Sequence, residues 1–249
     1  MRTLKLTIAY DGTHFAGWQR QPHARTVQQT IEETLQKITG SKVTLIGAGR
    51  TDTGVHADGQ VAHLRLNHPM PTGKLLRALN ATLPEDVAIR SIHIAPAKFH
   101  AQYDASAKRY RYTLWNKPTR PMAHRERMLH VSALLDLKTM RQAANLLKGR
   151  HDFKAFYTDG RLAEDTRRTL RSLTVRSEKN GMIQIIAEAD GFLYHMVRRI
   201  VGLLLDIGKG KHPPTIVREI LRGRGSAIAH TAPAKGLCLT KVIYRHAAK

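Results

Sequence analysis

Residues 45–66 read LIGAGRTDTGVHADGQVAHLRL, two apolar, strand-like ends enclosing a core of Gly, Arg, Thr, Asp and His. This stretch constrains the fold more than any other. Gly47, Gly49, Gly54 and Gly59 permit tight turns, so the core is a loop carried on two strands rather than a packing element. Asp52 is its central acid, with Arg50 before it and His56 after it. Two familiar loop types are excluded. The phosphate-binding pattern G-x-x-x-x-G-K-[ST] fails because Val55 and His56 follow Gly54. The dinucleotide pattern G-x-G-x-x-G fails because Asp52 stands at the third glycine. Function-capable side chains on such a loop are a usual build of an active site. The plainer alternative is a loop in which Asp52 caps a turn and Arg50 is a solvated charge.

Elsewhere strand and helix periods alternate. Leu4, Leu6 and Ile8 alternate with Thr3, Lys5 and Thr7, a half-buried strand over 3–10. Next comes Phe15-Ala16-Gly17-Trp18-Gln19-Arg20-Gln21, whose rings, amides and cations suit stacking on RNA, unless the rings are buried under a loop. Residues 26–38 read as a helix capped by Thr26 and ended by Gly40, with Glu32 and Glu33 on its expected solvent face. Residues 43–46 and 60–66 are strands into and out of the loop. A helix over 74–83 and a strand over 87–94 follow, the strand slipping phase near Ser91.

Residues 108–115 interleave cations with aromatics, Tyr110 and Tyr112 on one face and Arg109 and Arg111 on the other. A helix over 135–147, a polar loop over 157–166, and strands over 168–175 and 183–189 complete the middle of the chain. Phe192, Met196, Ile200, Leu203 and Leu204 form a helical core stripe; beside it Arg199 fits a solvated helix face. A short helix over 216–221 precedes a closing strand that ends at Tyr244.

The chain has 249 residues, with 41 Lys plus Arg against 19 Asp plus Glu, a net charge of +22 with His neutral. The excess is spread along the sequence, which points to a folded protein with a polyanionic partner, most simply nucleic acid. Cys238 is the single cysteine, so no disulfide forms within the chain and no Cys-based zinc site is available. No apolar run approaches the ~18 residues of a membrane span, and the first residues lack a signal-peptide core. A cytoplasmic location is the default expectation.

G-R-T-D-x-G-V-H-A, here residues 49–57, resembles the signature of the TruA family of tRNA pseudouridine synthases. Four further blocks resemble the same family in the same order: Y-D-G-T-x-F-x-G-W-Q from Tyr10, F-H-A-x-x-x-A-x-x-x-R-Y-x-Y from Phe99, the segment 191–202 with Arg198, and A-P-A-K-G-L-x-L from Ala232. Gln29 stands where the family usually has Gly, and Cys238 where it usually has Tyr. The resemblance implies an α/β (α+β) fold of two ferredoxin-like α/β domains, residues 1–105 and 106–249, joined into a mostly antiparallel central sheet with a basic catalytic cleft.

The activity it implies is isomerisation of uridine to pseudouridine in the anticodon arm of tRNA by a homodimer, without metal, nucleotide or other cofactor. Asp52 is then the catalytic residue, as nucleophile or as base in a glycal route. Arg50 holds the flipped nucleotide or the RNA backbone, and Arg198 orients Asp52 and keeps it ionised. Tyr110 stacks on the uracil, with proton transfer an open second role. Leu237 lies on the apolar wall. A non-catalytic RNA-binding protein of ferredoxin-like fold is the alternative, although no complete RNP1 pattern is present. A metal-dependent hydrolase, prompted by 14 His, has no H-E-x-x-H to support it.

Overall fold

The computed structural model describes residues 1–158, 165–224 and 230–245. In chain order the elements are β1 (Arg2–Tyr10), α1 (Val27–Thr39), β2 (Ile46–Gly47), β3 (His56–Leu66), α2 (Thr72–Thr82), β4 (Val87–Ala95), β5 (Ala105–Trp115), β6 (Leu129–His130), α3 (Leu137–Leu147), β7 (Gly149–Asp152), β8 (Arg167–Ser177), β9 (Met182–Ala189), α4 (Met196–Gly208), α5 (Ile216–Leu221) and β10 (Leu237–Tyr244). The sheets are mostly antiparallel and the class is α+β, as expected. Of the polar loop expected over 157–166, residues 159–164 lie outside the described residues.

Two units emerge, Met1–Ser106 with Cys238–Lys249, and Ala107–Leu237. The first is a β-α-β-β-α-β unit. Strand β1 pairs antiparallel with β3 and with β4, and β2 pairs antiparallel with β3, giving the order β4-β1-β3-β2 of a ferredoxin-like sheet. Strand β10, the end of the chain, returns to lie parallel to β3, with Cys238 opposite His56.

Local chemistry explains most boundaries. The Thr26 hydroxyl accepts the Gln29 N–H at the start of α1. Gly40 ends it in the left-handed region, donating its N–H to Gln36. Val27, Ile31 and Leu35 are fully buried on its apolar stripe. The phase slip near Ser91 is a β-bulge: Thr7 opposes Ser91 and Ile8 opposes Ile89, leaving Arg90 over.

Two expectations fail here. The strand expected over 43–46 is only Ile46–Gly47, because the Leu45 N–H donates to the Glu32 carboxylate at 2.8 Å instead of to a sheet ladder. Glu32 is accordingly buried rather than on a solvent face. It also accepts from Gln28 at 2.9 Å and pairs with Arg20 at 3.0 Å. Only Glu33 keeps the expected exposure.

In the second unit β5, β9, β8 and β7 lie side by side in that order, all antiparallel. Strand β6 runs parallel to β5 on its other edge. Helix α3 packs against β8 and α4. Residues 200–208 of α4 are all buried, Asp206 included, whose carboxylate meets Lys211 at 2.9 Å and His230 at 3.1 Å. The helix begins at Met196, so Phe192 of the expected stripe lies ahead of it.

Candidate active site

The loop between β2 and β3 is held by backbone contacts along most of its length. Ala48 donates to the Val61 carbonyl at 2.7 Å, and the Gln60 side chain donates to the Gly49 carbonyl at 2.9 Å. The Thr51 carbonyl accepts the Trp18 N–H at 3.1 Å, and Gly54 donates to the Phe15 carbonyl at 3.3 Å. Val55 donates back to the Asp52 carbonyl at 3.1 Å, closing a turn with Asp52 at its head. The segment 10–18 thus clamps the loop on both sides of Asp52, whose side chain is half-buried.

Side chains reinforce the clamp. The Tyr10 hydroxyl and the Thr51 hydroxyl are 2.8 Å apart and buried. Burial pushes the Tyr10 phenol up, with hydrogen bonds from Thr51 and Gln60 opposing, so it stays neutral. His56, 1% exposed, holds its Nδ1 3.1 Å from the Gly12 backbone nitrogen. Asp11 Oδ1 lies 3.2 Å from the same Nδ1.

Gly17 shows how close the approach is. Its φ is +95°, and a Cβ there would stand 2.6 Å from the Thr51 oxygen and 3.2 Å from the Asp52 carbonyl carbon.

Phe15 and Trp18 are each 1% exposed, so their rings are not available to stack on RNA. They are the packed floor of the loop, because the backbone of 15–18 must approach the loop and carries its rings inward. The Arg25 guanidinium covers Phe15 at 4.0 Å and forks onto Asp86 at 2.6 and 2.8 Å. Sequence reasoning missed Tyr10, Thr51, Gln60 and Arg25 as supports. The density of unusual residues from Tyr10 to Trp18 was the available signal.

The other candidates are placed as follows. Arg50 is exposed on the loop of the first unit. Tyr110, Arg198 and Leu237 belong to the second unit. Tyr110 lies on β5, 8% exposed, edge-on to Phe192 with centroids 5.2 Å apart. Arg198 stands in the first turn of α4, half-buried, its Nε donating to the Ala232 carbonyl at 2.8 Å. Ala232 returns its N–H to the Arg198 carbonyl at 3.1 Å. Leu237 is 5% exposed at the start of β10. The preceding stretch is anchored by the Tyr112 hydroxyl, which donates to the Pro233 carbonyl at 2.8 Å.

Arg199 is half-buried, and burial lowers its guanidinium pKa, so the expected open helix face is not its setting. Cys238 is buried opposite His56. Among the described residues no group of three or more His, Cys, Asp or Glu is placed to hold a metal ion. No described helix is long and apolar enough to cross a membrane.

Comparison with known proteins agrees with this picture. The sequence profile of tRNA pseudouridine synthase matches residues 6–104 and 143–245. The tRNA pseudouridine synthase A 2 of Clostridium perfringens is 41% identical over 98% of this chain and 100% of its own. The tRNA pseudouridine synthase A of Acetivibrio thermocellus is 44% identical over the same shares. That of Syntrophotalea carbinolica is 44% identical over 98% of this chain and 97% of its own. Agreement over nearly the full length of three relatives, around a loop built to hold Asp52, means that the chain belongs to the tRNA pseudouridine synthase family.

Proposed function

We propose that the chain isomerises uridine to pseudouridine in the anticodon arm of tRNA, with Asp52 as the catalytic carboxylate. The reaction breaks the N-glycosidic bond, turns the uracil and rejoins it through carbon, so it consumes neither redox equivalents nor phosphate energy. Asp52 acts as nucleophile at the sugar or as base in a glycal route. The observation that carries the proposal is the clamp around Asp52. Trp18 and Phe15 hold the backbone on either side of it, so the carboxylate is presented with little freedom to lose on substrate binding.

In this scheme Arg50, exposed on the same loop, holds the extruded nucleotide or its phosphates. Arg198 orients Asp52, Tyr110 stacks on the uracil, and Leu237 contributes apolar wall. The enzyme works in the cytoplasm as a homodimer, without a cofactor. The test is release of tritium from uracil C5 in labelled tRNA. Release, with pseudouridine in the product, is expected; tight tRNA binding with no release would leave an RNA-binding protein without catalysis.

A further inference from the structure

Tyr103 is the most exposed Tyr, Phe or Trp among the described residues, at 78%. It is not a loose side chain. Its ring stacks on His100 with centroids 4.1 Å apart and planes 20° from parallel. His100 is itself locked: its Nδ1 accepts the backbone N–H of Gln102 and of Tyr103, both at 3.2 Å. The turn closes on itself, since Asp104 donates to the His100 carbonyl at 3.0 Å and its carboxylate accepts the His100 N–H at 2.9 Å. Ala101 ties the turn to the sheet, donating to His63 Nδ1 at 3.1 Å and accepting from the Tyr244 hydroxyl at 2.7 Å. The result is a flat ring, backed on one face and open on the other, on a rigid turn.

A ring so held has little side-chain entropy to lose on contact, the property that suits a stacking anchor. The sequence around it, Lys98, Gln102 and Asp104, is polar, so the ring is not the centre of an apolar protein interface. The chain carries +22, and aromatic rings on basic proteins stack on unpaired RNA bases. Asp104 is unfavourable to a phosphate but indifferent to a base face.

We propose that Tyr103, backed by His100, is a stacking platform for an unpaired base of the RNA substrate, separate from the Asp52 loop. His63, beside His100 at 4.9 Å, lies on β3 with His56, roughly 20 Å further along at ~3.3 Å per residue. The platform therefore reads a nucleotide other than the one modified. It rests on the reading of the chain as an enzyme acting on tRNA.

The test uses full-length protein and a tRNA transcript, with Tyr103→Ala, Tyr103→Leu and Tyr103→Phe. Affinity should fall about ten-fold for Ala and Leu and stay within about two-fold for Phe, since stacking needs a flat ring. The slope of log Kd against log salt should be the same in all four proteins, because no phosphate contact is lost. The single-turnover rate at saturating tRNA should also be unchanged. Wild-type affinity for Tyr103→Ala would overturn the platform, as would a slope reduced by ~1. A changed sedimentation mass at unchanged affinity would make the ring a contact between copies of the chain and overturn it too. Failure of the wild-type protein to bind tRNA or release tritium would remove the functional reading itself, and the platform with it.

Discussion

Asp52→Asn keeps size and hydrogen-bonding reach while removing the negative charge. Because the clamp from Phe15 and Trp18 uses backbone atoms, the loop should keep its shape. Pseudouridine formation is expected to become undetectable with tRNA still bound. If Asp52 served only as a turn cap, stability would drop by about 1 kcal/mol and chemistry would continue. Turnover by the folded variant, free of deamidated and wild-type protein, would therefore end the assignment. Tyr110 is 8% exposed and edge-on to Phe192. Tyr110→Phe is expected to keep both fold and turnover, since the ring supplies the contact. Stalled turnover in that variant would instead assign proton transfer to the hydroxyl. Asp52 and Tyr110 stand out in the sequence by residue type; the burial of Tyr110 against Phe192 does not, because Phe192 comes from a segment 82 positions away.

The strand-loop-strand element β2–β3 depends on the chain's first loop. Gly17, at φ +95° with the Thr51 oxygen 2.6 Å from where a Cβ would stand, is the closest point of that contact. Gly17→Ala must either displace residues 51–53 or adopt a strained backbone, at about 1–3 kcal/mol. The expected result is a melting point lower by a few degrees and a kcat reduced ten-fold or more, with tRNA affinity nearly kept. A variant that loses stability but not kcat would show that the clamp is structural only. Helix α1 needed no such long-range help. Thr26 and Gly40 mark its ends within one turn of sequence, and both act as expected. The strand at 43–46 fails for the opposite reason, since Glu32 lies outside any local window around Leu45.

Over the whole molecule, charge sets two expectations. With ~6 phosphate contacts, log K for tRNA should fall with log salt at a slope near −5; a flat response in a filter-binding titration would remove RNA as the partner. Each unit also holds a buried tyrosine whose phenol is pushed up by burial, Tyr10 at 3% and Tyr112 at 0% exposure. The folded state keeps these protons while the unfolded chain releases them near pH 10. Their stabilisation is complete below that pH and is lost as pH rises through the folded values. Lys108, lowered by burial, acts in the opposite sense, and folding gains from it as pH rises toward 10.5. The melting temperature should hold to about pH 10 and then fall. A flat melting profile from pH 8 to pH 12 would show that the two phenols are not held neutral by the fold.

Some features were determined by the sequence alone. The loop around Asp52, the ends of α1, the bulge at Arg90 and the basic excess are each written within a few residues or in composition. Helix caps, strand alternation and glycine content act over one or two turns of chain, which is the range that a local pattern can report. Tertiary structure alone decided which groups are buried and by what. Phe15 and Trp18 became the floor of a loop some 35 residues away, Glu32 became the anchor of Leu45, and β10 joined β3 across most of the chain. In each case the partner is a backbone N–H, a carbonyl or a strand edge. Every residue offers these, so only the folded arrangement could select among them.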